Sequence, residues 1–218
     1  MIHSFSEKTF KRICNQLAKK DVHLAEVLKT YGHPPMWTRT NSFESLVHII
    51  LEQQVSLASA LAALKKLQAH TGQLIPEAVL KLTDAELRAC YVSRQKAVYI
   101  RGLAEAIISG KIDLDGMHRL PDVVIREKLT TLKGIGNWTV DVYLMFVLQR
   151  ADIFPAGDLA AVNALKRLKT LPKDTSKEEL IAVAEKWAPH RTVATMILWH
   201  HYLSAGRKKQ PEAGSNQP

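Results

Sequence analysis

Two short stretches of this chain hold residues whose types and spacing suit chemistry: Leu132-Lys133-Gly134-Ile135-Gly136-Asn137-Trp138-Thr139 and Phe154-Pro155-Ala156-Gly157-Asp158. Two glycines around one apolar residue let the backbone turn tightly, with successive N–H groups pointing outward as a concave nest at the start of a helix. The positive end of a helix dipole behind such a nest suits a phosphate. A carboxylate one helix later offers a fixed anion, able to stabilise a developing positive charge or to orient a water. A phosphate grip followed by a carboxylate points to chemistry on DNA, although Gly-x-Gly alone also serves any tight connection between helices.

The elements that must position these residues are helical. Val123 to Leu132 places apolar residues at a spacing near 3.6, and Val140 to Leu148 is apolar enough for a core helix, so the glycine turn reads as a helix-hairpin-helix. Capping pairs recur at Asn41 with Glu44, Thr83 with Glu86 and Ser176 with Glu179. No strand pattern competes. The expected helices cover 6–19, 21–30, 42–52, 56–70, 76–81, 84–90, 94–109, 121–132, 137–149, 159–169, 177–187 and 190–204, an all-α protein. Breaks fall at Tyr31 to Thr40 and at Gly110 to Pro121, and the polar tail 206–218 is expected to be disordered.

Composition narrows the partners. Thirty Lys and Arg against 21 Asp and Glu leave a formal net charge of +9 on 218 residues, which favours a polyanion. Cys14 and Cys90, the only cysteines, cannot build a disulfide framework or a thiolate-ligated zinc or iron–sulfur site. No leader pattern or membrane-length apolar run is seen, so the expectation is a protein of a reducing compartment. His200 and His201, adjacent on a helix, point about 100° apart and do not make a metal pair.

Five segments, in order, resemble the helix-hairpin-helix (HhH-GPD) DNA glycosylase superfamily, most of all its DNA-3-methyladenine glycosylase II branch. They are Ile50 to Ser56, Ser93 to Ile100, the hairpin with Trp138-Thr139, Phe154-Pro155 to Asp158, and Trp187-Ala188-Pro189-His190-Arg191-Thr192-Val193-Ala194. The resemblance implies two helical subdomains with the active cleft between them, in a domain of residues 1–205. The central subdomain would cover about 40–150, and 1–35 plus 151–205 would form the other.

It further implies a catalytic role for Asp158, whose position before a helix also suits an N-cap; one residue can do both. Breaking the sugar–base bond builds positive charge on the deoxyribose, which a fixed anion stabilises. Trp138 stands where family members that cut the backbone carry a lysine, so a hydrolase without a lyase step is implied. Alkylated purines are cationic and suit an aromatic pocket, for which Trp138 and Trp199 match family positions and Tyr143 and Trp37 are weaker candidates. Some relatives carry tyrosine at Val142, a departure in the pocket.

Gln54 falls at the wedge position that fills the gap left by a flipped base. Gly134, Gly136, Lys133 and Thr139 would meet phosphate, and the carbonyls of Thr130, Leu132 and Ile135 would hold a structural Na or K ion. Arg94, Lys96 and Arg101 are further candidates for phosphate contact. No cofactor is required for the hydrolysis and no iron–sulfur cluster is expected. The expected partner is double-stranded DNA containing damaged bases, met by a monomer without a membrane, in the cytoplasm near the nucleoid of a bacterium or in the nucleus of a eukaryote. The alternatives are a noncatalytic helix-hairpin-helix DNA-binding module, a helical interaction protein, or a glycosylase for another damaged base.

Overall fold

The computed structural model describes residues 3–207. Among them are thirteen α-helices and no strand; the one β pairing is an isolated antiparallel bridge between Ser4 and Arg150. In chain order, α1 (Glu7–Lys20) and α2 (Val22–Tyr31) come first, followed by α3 (Phe43–Glu52), α4 (Leu57–Thr71), α5 (Pro76–Leu80), α6 (Asp84–Ala89) and α7 (Arg94–Ile108). Then come α8 (Leu114–Met117), α9 (Asp122–Thr130), α10 (Asn137–Phe146), α11 (Leu159–Leu168), α12 (Lys177–Glu185) and α13 (Arg191–Arg207). Two compact units result: Thr38–Leu148 carries α3 to α10, while His3–Trp37 joins residues 149–207 and carries the other helices.

Local signals account for most helix starts. Thr83 and Ser176 form the expected capping boxes, each accepting from the N–H three residues on while Glu86 or Glu179 accepts from the cap's own N–H. Asn41 does not cap α3. Ser42 does, accepting from the Ser45 N–H, and Asn41 instead donates to the Leu114 carbonyl at 2.6 Å and accepts from the Tyr143 hydroxyl at 2.7 Å. The break expected between Gly110 and Pro121 contains the short helix α8, started by Asp113, which accepts from the Gly116 N–H. Gly206 and Arg207 of the expected tail complete α13, and 208–218 lie outside the described residues.

In the unit built on Thr38–Leu148, α3 packs on α4, α7 and α10, α5 and α6 pack on α7, and α9 packs on α10. Leu46, Val47, Ile49, Ile50 and Leu51 of α3 are at most 1% exposed, each side chain contributing about 1.5–3 kcal/mol by burial. Arg126 of α9 clamps the hairpin by pairing with Asp141 and the Asn137 side chain of α10. Between these helices Gly134 has φ +85, and a Cβ there would run into the Tyr99 ring. Gly136 has φ −100 and open space around it, so only the first glycine is needed for the turn.

In the other unit, α1 packs on α2 and α13, and α13 packs on α2 and α11. Asp21 is its polar anchor: buried, it caps α2 and accepts from Lys169 Nζ at 2.6 Å and from Trp187 Nε1 at 2.8 Å. Burial alone would raise its pKa, but the hydrogen bonds from Lys169 and Trp187 and the ammonium charge outweigh it and hold the carboxyl below its ordinary value.

Replacing Asp21 by Asn is expected to cost about 2–4 kcal/mol at neutral pH, because it leaves the Lys169 charge poorly compensated. The sign follows from the depressed pKa. The wild-type advantage is complete above the ordinary value of 3.8 and is lost as pH falls through the lower folded value, so denaturant titrations of the two proteins converge in acid. Gly134→Ala is expected to lower stability by about 1–3 kcal/mol and Gly136→Ala by less than about 1 kcal/mol, measured by thermal unfolding.

Candidate active site and nucleic-acid interface

The hairpin is fastened by a residue outside the sequence-predicted set. Gln53, at the C-terminus of α3, donates from Nε2 to the Gly134 carbonyl at 2.9 Å and to the Thr139 hydroxyl at 3.0 Å. Both partners lie more than 80 residues away, beyond the reach of any spacing argument. Thr139 supports the turn through its buried side chain, whose hydroxyl accepts from Gln53. Lys133, Gly136 and Asn137 are exposed, and no side chain caps the N-terminus of α10.

The adjacent Gln54 is exposed and sits at φ +56, a left-handed conformation uncommon outside glycine. Its neighbours are tied down. Lys96 donates to the Leu51 carbonyl at 2.7 Å and to the Gln53 carbonyl at 2.9 Å, closing α3, and burial lowers the pKa of its ammonium. Arg39 makes a bidentate pair with Glu52 at 2.6 and 3.0 Å. Lys96 is thus engaged by carbonyls, and Arg101 by Asp84 and the Leu82 carbonyl.

The aromatic candidates separate. Trp138 is half-buried at the second position of α10. Tyr143 is fully buried and its hydroxyl donates to Asn41, so it is a packing residue with no open face on which a base could stack. Val142 is buried as well. Trp37 is half-buried in the segment after α2.

Asp158 is the N-cap of α11. Its Oδ1 accepts from the Ala161 N–H at 2.8 Å and from the Trp199 indole N–H at 3.0 Å, so a helix start and an aromatic side chain of α13 grip the same oxygen. The carboxylate is half-buried. Its capping role, expected from Pro155 and Gly157 before it, is realised. α13 is itself secured where Arg191 pairs with both oxygens of Asp152 at 2.7 and 2.8 Å, and where the Thr192 hydroxyl donates to the Arg150 carbonyl at 2.6 Å.

Among the described residues no group of three His, Cys, Asp or Glu is placed to hold a metal ion. The hairpin carbonyls offer hard oxygen donors of another kind, and that of Leu132 already accepts the Ile135 N–H at 3.1 Å, with a second lone pair remaining. Cys14 and Cys90 are buried free thiols, and burial pushes Cys14 up to about 12, unsuited to nucleophilic work. No described helix is long and apolar enough to cross a membrane.

The chain is 31% identical to DNA-3-methyladenine glycosylase 1 of Schizosaccharomyces pombe over 203 residues, 87% of this chain and 89% of that one. The solved structure of the Schizosaccharomyces pombe 3-methyladenine DNA glycosylase in complex with abasic DNA superposes with a TM-score of 0.79, at 32% identity over 86% of this chain and 95% of that one. A DNA-3-methyladenine glycosidase from Bacillus halodurans gives 0.75 at 31% identity, covering 95% of each chain. The pattern of the HhH-GPD superfamily base excision DNA repair proteins matches residues 47–190, and the chain belongs to that superfamily.

Proposed function

We propose that this protein is a base-excision repair glycosylase of the DNA-3-methyladenine glycosylase II type. It flips alkylated purines such as 3-methyladenine and 7-methylguanine out of duplex DNA and hydrolyses the N-glycosidic bond without cutting the backbone. The observation that carries this is the Asp158 carboxylate, held at the head of α11 by two N–H donors. Phosphate binding alone has no use for a fixed anion, which repels the backbone. Oxocarbenium chemistry needs one.

In the proposed reaction the backbone N–H groups of Gly134 and Gly136, with Lys133, grip a phosphate. Gln54, on a turn stiffened by Lys96 and Arg39, enters the duplex as the flipped base leaves the stack. Trp138 and Trp199 offer aromatic faces to a cationic purine. As the C1′–N bond lengthens, its electron pair leaves with the base, whose positive charge is thereby neutralised. Positive charge appears on the sugar, Asp158 stabilises it, and a water oriented by the same carboxylate adds at C1′ and gives its proton to that carboxylate.

An indole at position 138 has no amine to attack the sugar, which supports hydrolysis over a lyase step. The carbonyls of Thr130, Leu132 and Ile135 would hold a monovalent cation, adding positive charge beside the phosphate. The proposed hydrolysis itself needs only water and the carboxylate, and two cysteines cannot supply an iron–sulfur cluster. The place of action is wherever chromosomal DNA lies: the nucleoid in a bacterium, the nucleus in a eukaryote.

Asp158→Asn is expected to keep its affinity for an abasic duplex within about threefold while losing at least about 100-fold in release of 3-methyladenine and 7-methylguanine from methylated DNA. In the wild type, strand breaks should follow alkali only. Base release by a folded Asp158→Asn protein at the wild-type rate would contradict the assignment. Absence of release by the wild type, with salt-sensitive DNA binding intact, would favour another damaged base or a binding module.

A further inference from the structure

We infer that Trp199 is a positioning residue for Asp158: its indole N–H holds the carboxylate in the orientation that base release requires, separately from any stacking on the base. The inference rests on the catalytic reading of Asp158. Family position would give Trp199 a pocket role through its ring face, but the structure shows a specific use of its edge. Nε1 lies 3.0 Å from Asp158 Oδ1, the oxygen that also accepts the Ala161 N–H at 2.8 Å.

The second donor has a physical consequence. An N-cap bond alone ties the carboxylate to its own helix and leaves rotation about Cβ–Cγ soft, since terminal sp³–sp² torsions are broad. A donor from a second helix, arriving from a rigid bicyclic side chain, fixes the plane. Trp199 is suited to this because α11 and α13 pack against each other and the start of α13 is locked by the Arg191–Asp152 pair and by Thr192. α11 is secured at its other end as well, where Lys169 reaches Asp21. A fixed anion needs no reorientation as charge develops on the sugar.

The two uses of the indole are separable, because phenylalanine keeps an aromatic face and loses the N–H. The test measures single-turnover release from duplexes carrying 7-methylguanine or 3-methyladenine, with enzyme saturating, for wild type, Trp199→Phe and Asp158→Asn. Affinity for an abasic duplex is measured alongside. Trp199→Phe is expected to slow release about 10- to 100-fold, the range for removing a hydrogen bond to a charged group, by the same factor for both bases and with affinity within about twofold. Should Trp199→Phe fold poorly, benzothienylalanine placed at position 199 keeps the bicyclic shape and replaces the N–H with sulfur; the same loss is expected.

Wild-type release rates with the N–H removed, alongside an inactive Asp158→Asn, overturn the positioning role and leave the catalytic carboxylate standing. The positioning role is equally overturned if the effect appears only as weakened binding or differs between the two bases. An active Asp158→Asn protein overturns the catalytic reading beneath it.

Discussion

A protein that grips polyanionic DNA while carrying a fixed anion must hold that anion against electrostatic repulsion. The hydrogen bonds onto Asp158 Oδ1 meet this constraint. The Ala161 N–H belongs to the positive end of α11, and the Trp199 indole adds a second donor from α13. Much of the surrounding unit secures those two donors: Asp21 gathers Lys169 from the end of α11 together with Trp187, and Asp152 takes Arg191 from the start of α13. The carboxylate keeps its place because both helices that donate to it are anchored elsewhere.

The Thr38–Leu148 unit meets a similar demand with backbone donors. The proposed phosphate grip requires a rigid turn, and rigidity comes from Tyr99 beneath Gly134, Gln53 across the turn, and Arg126 between the hairpin helices. Gln53 and Gln54 are adjacent yet divide the work. The first turns inward to the hairpin, while the second stands exposed with left-handed backbone, a strained conformation that the anchoring by Lys96 and Arg39 sustains. Strain retained at an exposed tip accords with the wedge role proposed for Gln54.

Helices are legible in the sequence wherever a local signal exists. Capping boxes at Thr83 and Ser176 and the apolar period of α3 and α7 need only neighbours three or four residues away. Local signals mislead where two residues could play one part: Asn41 and Ser42 are both good caps, and only the tertiary partners Leu114 and Tyr143 decide that Asn41 is needed elsewhere. α8 is invisible to periodicity because four residues carry no period. At the site, the carboxylate and the glycine turn are visible as motifs. The roles of Gln53, Thr139, Lys96 and the Trp199 edge are not, since each depends on a partner more than 40 residues away.

The most direct measurement is made on a duplex with a single 7-methylguanine, mixed with excess protein in the presence of borohydride, with the freed base and the protein both followed by mass spectrometry. The account predicts stoichiometric free 7-methylguanine, an intact abasic strand and no covalent protein–DNA adduct. A trapped adduct would show an amine attacking the sugar in place of water, and an untouched base would remove the substrate on which the proposed chemistry depends.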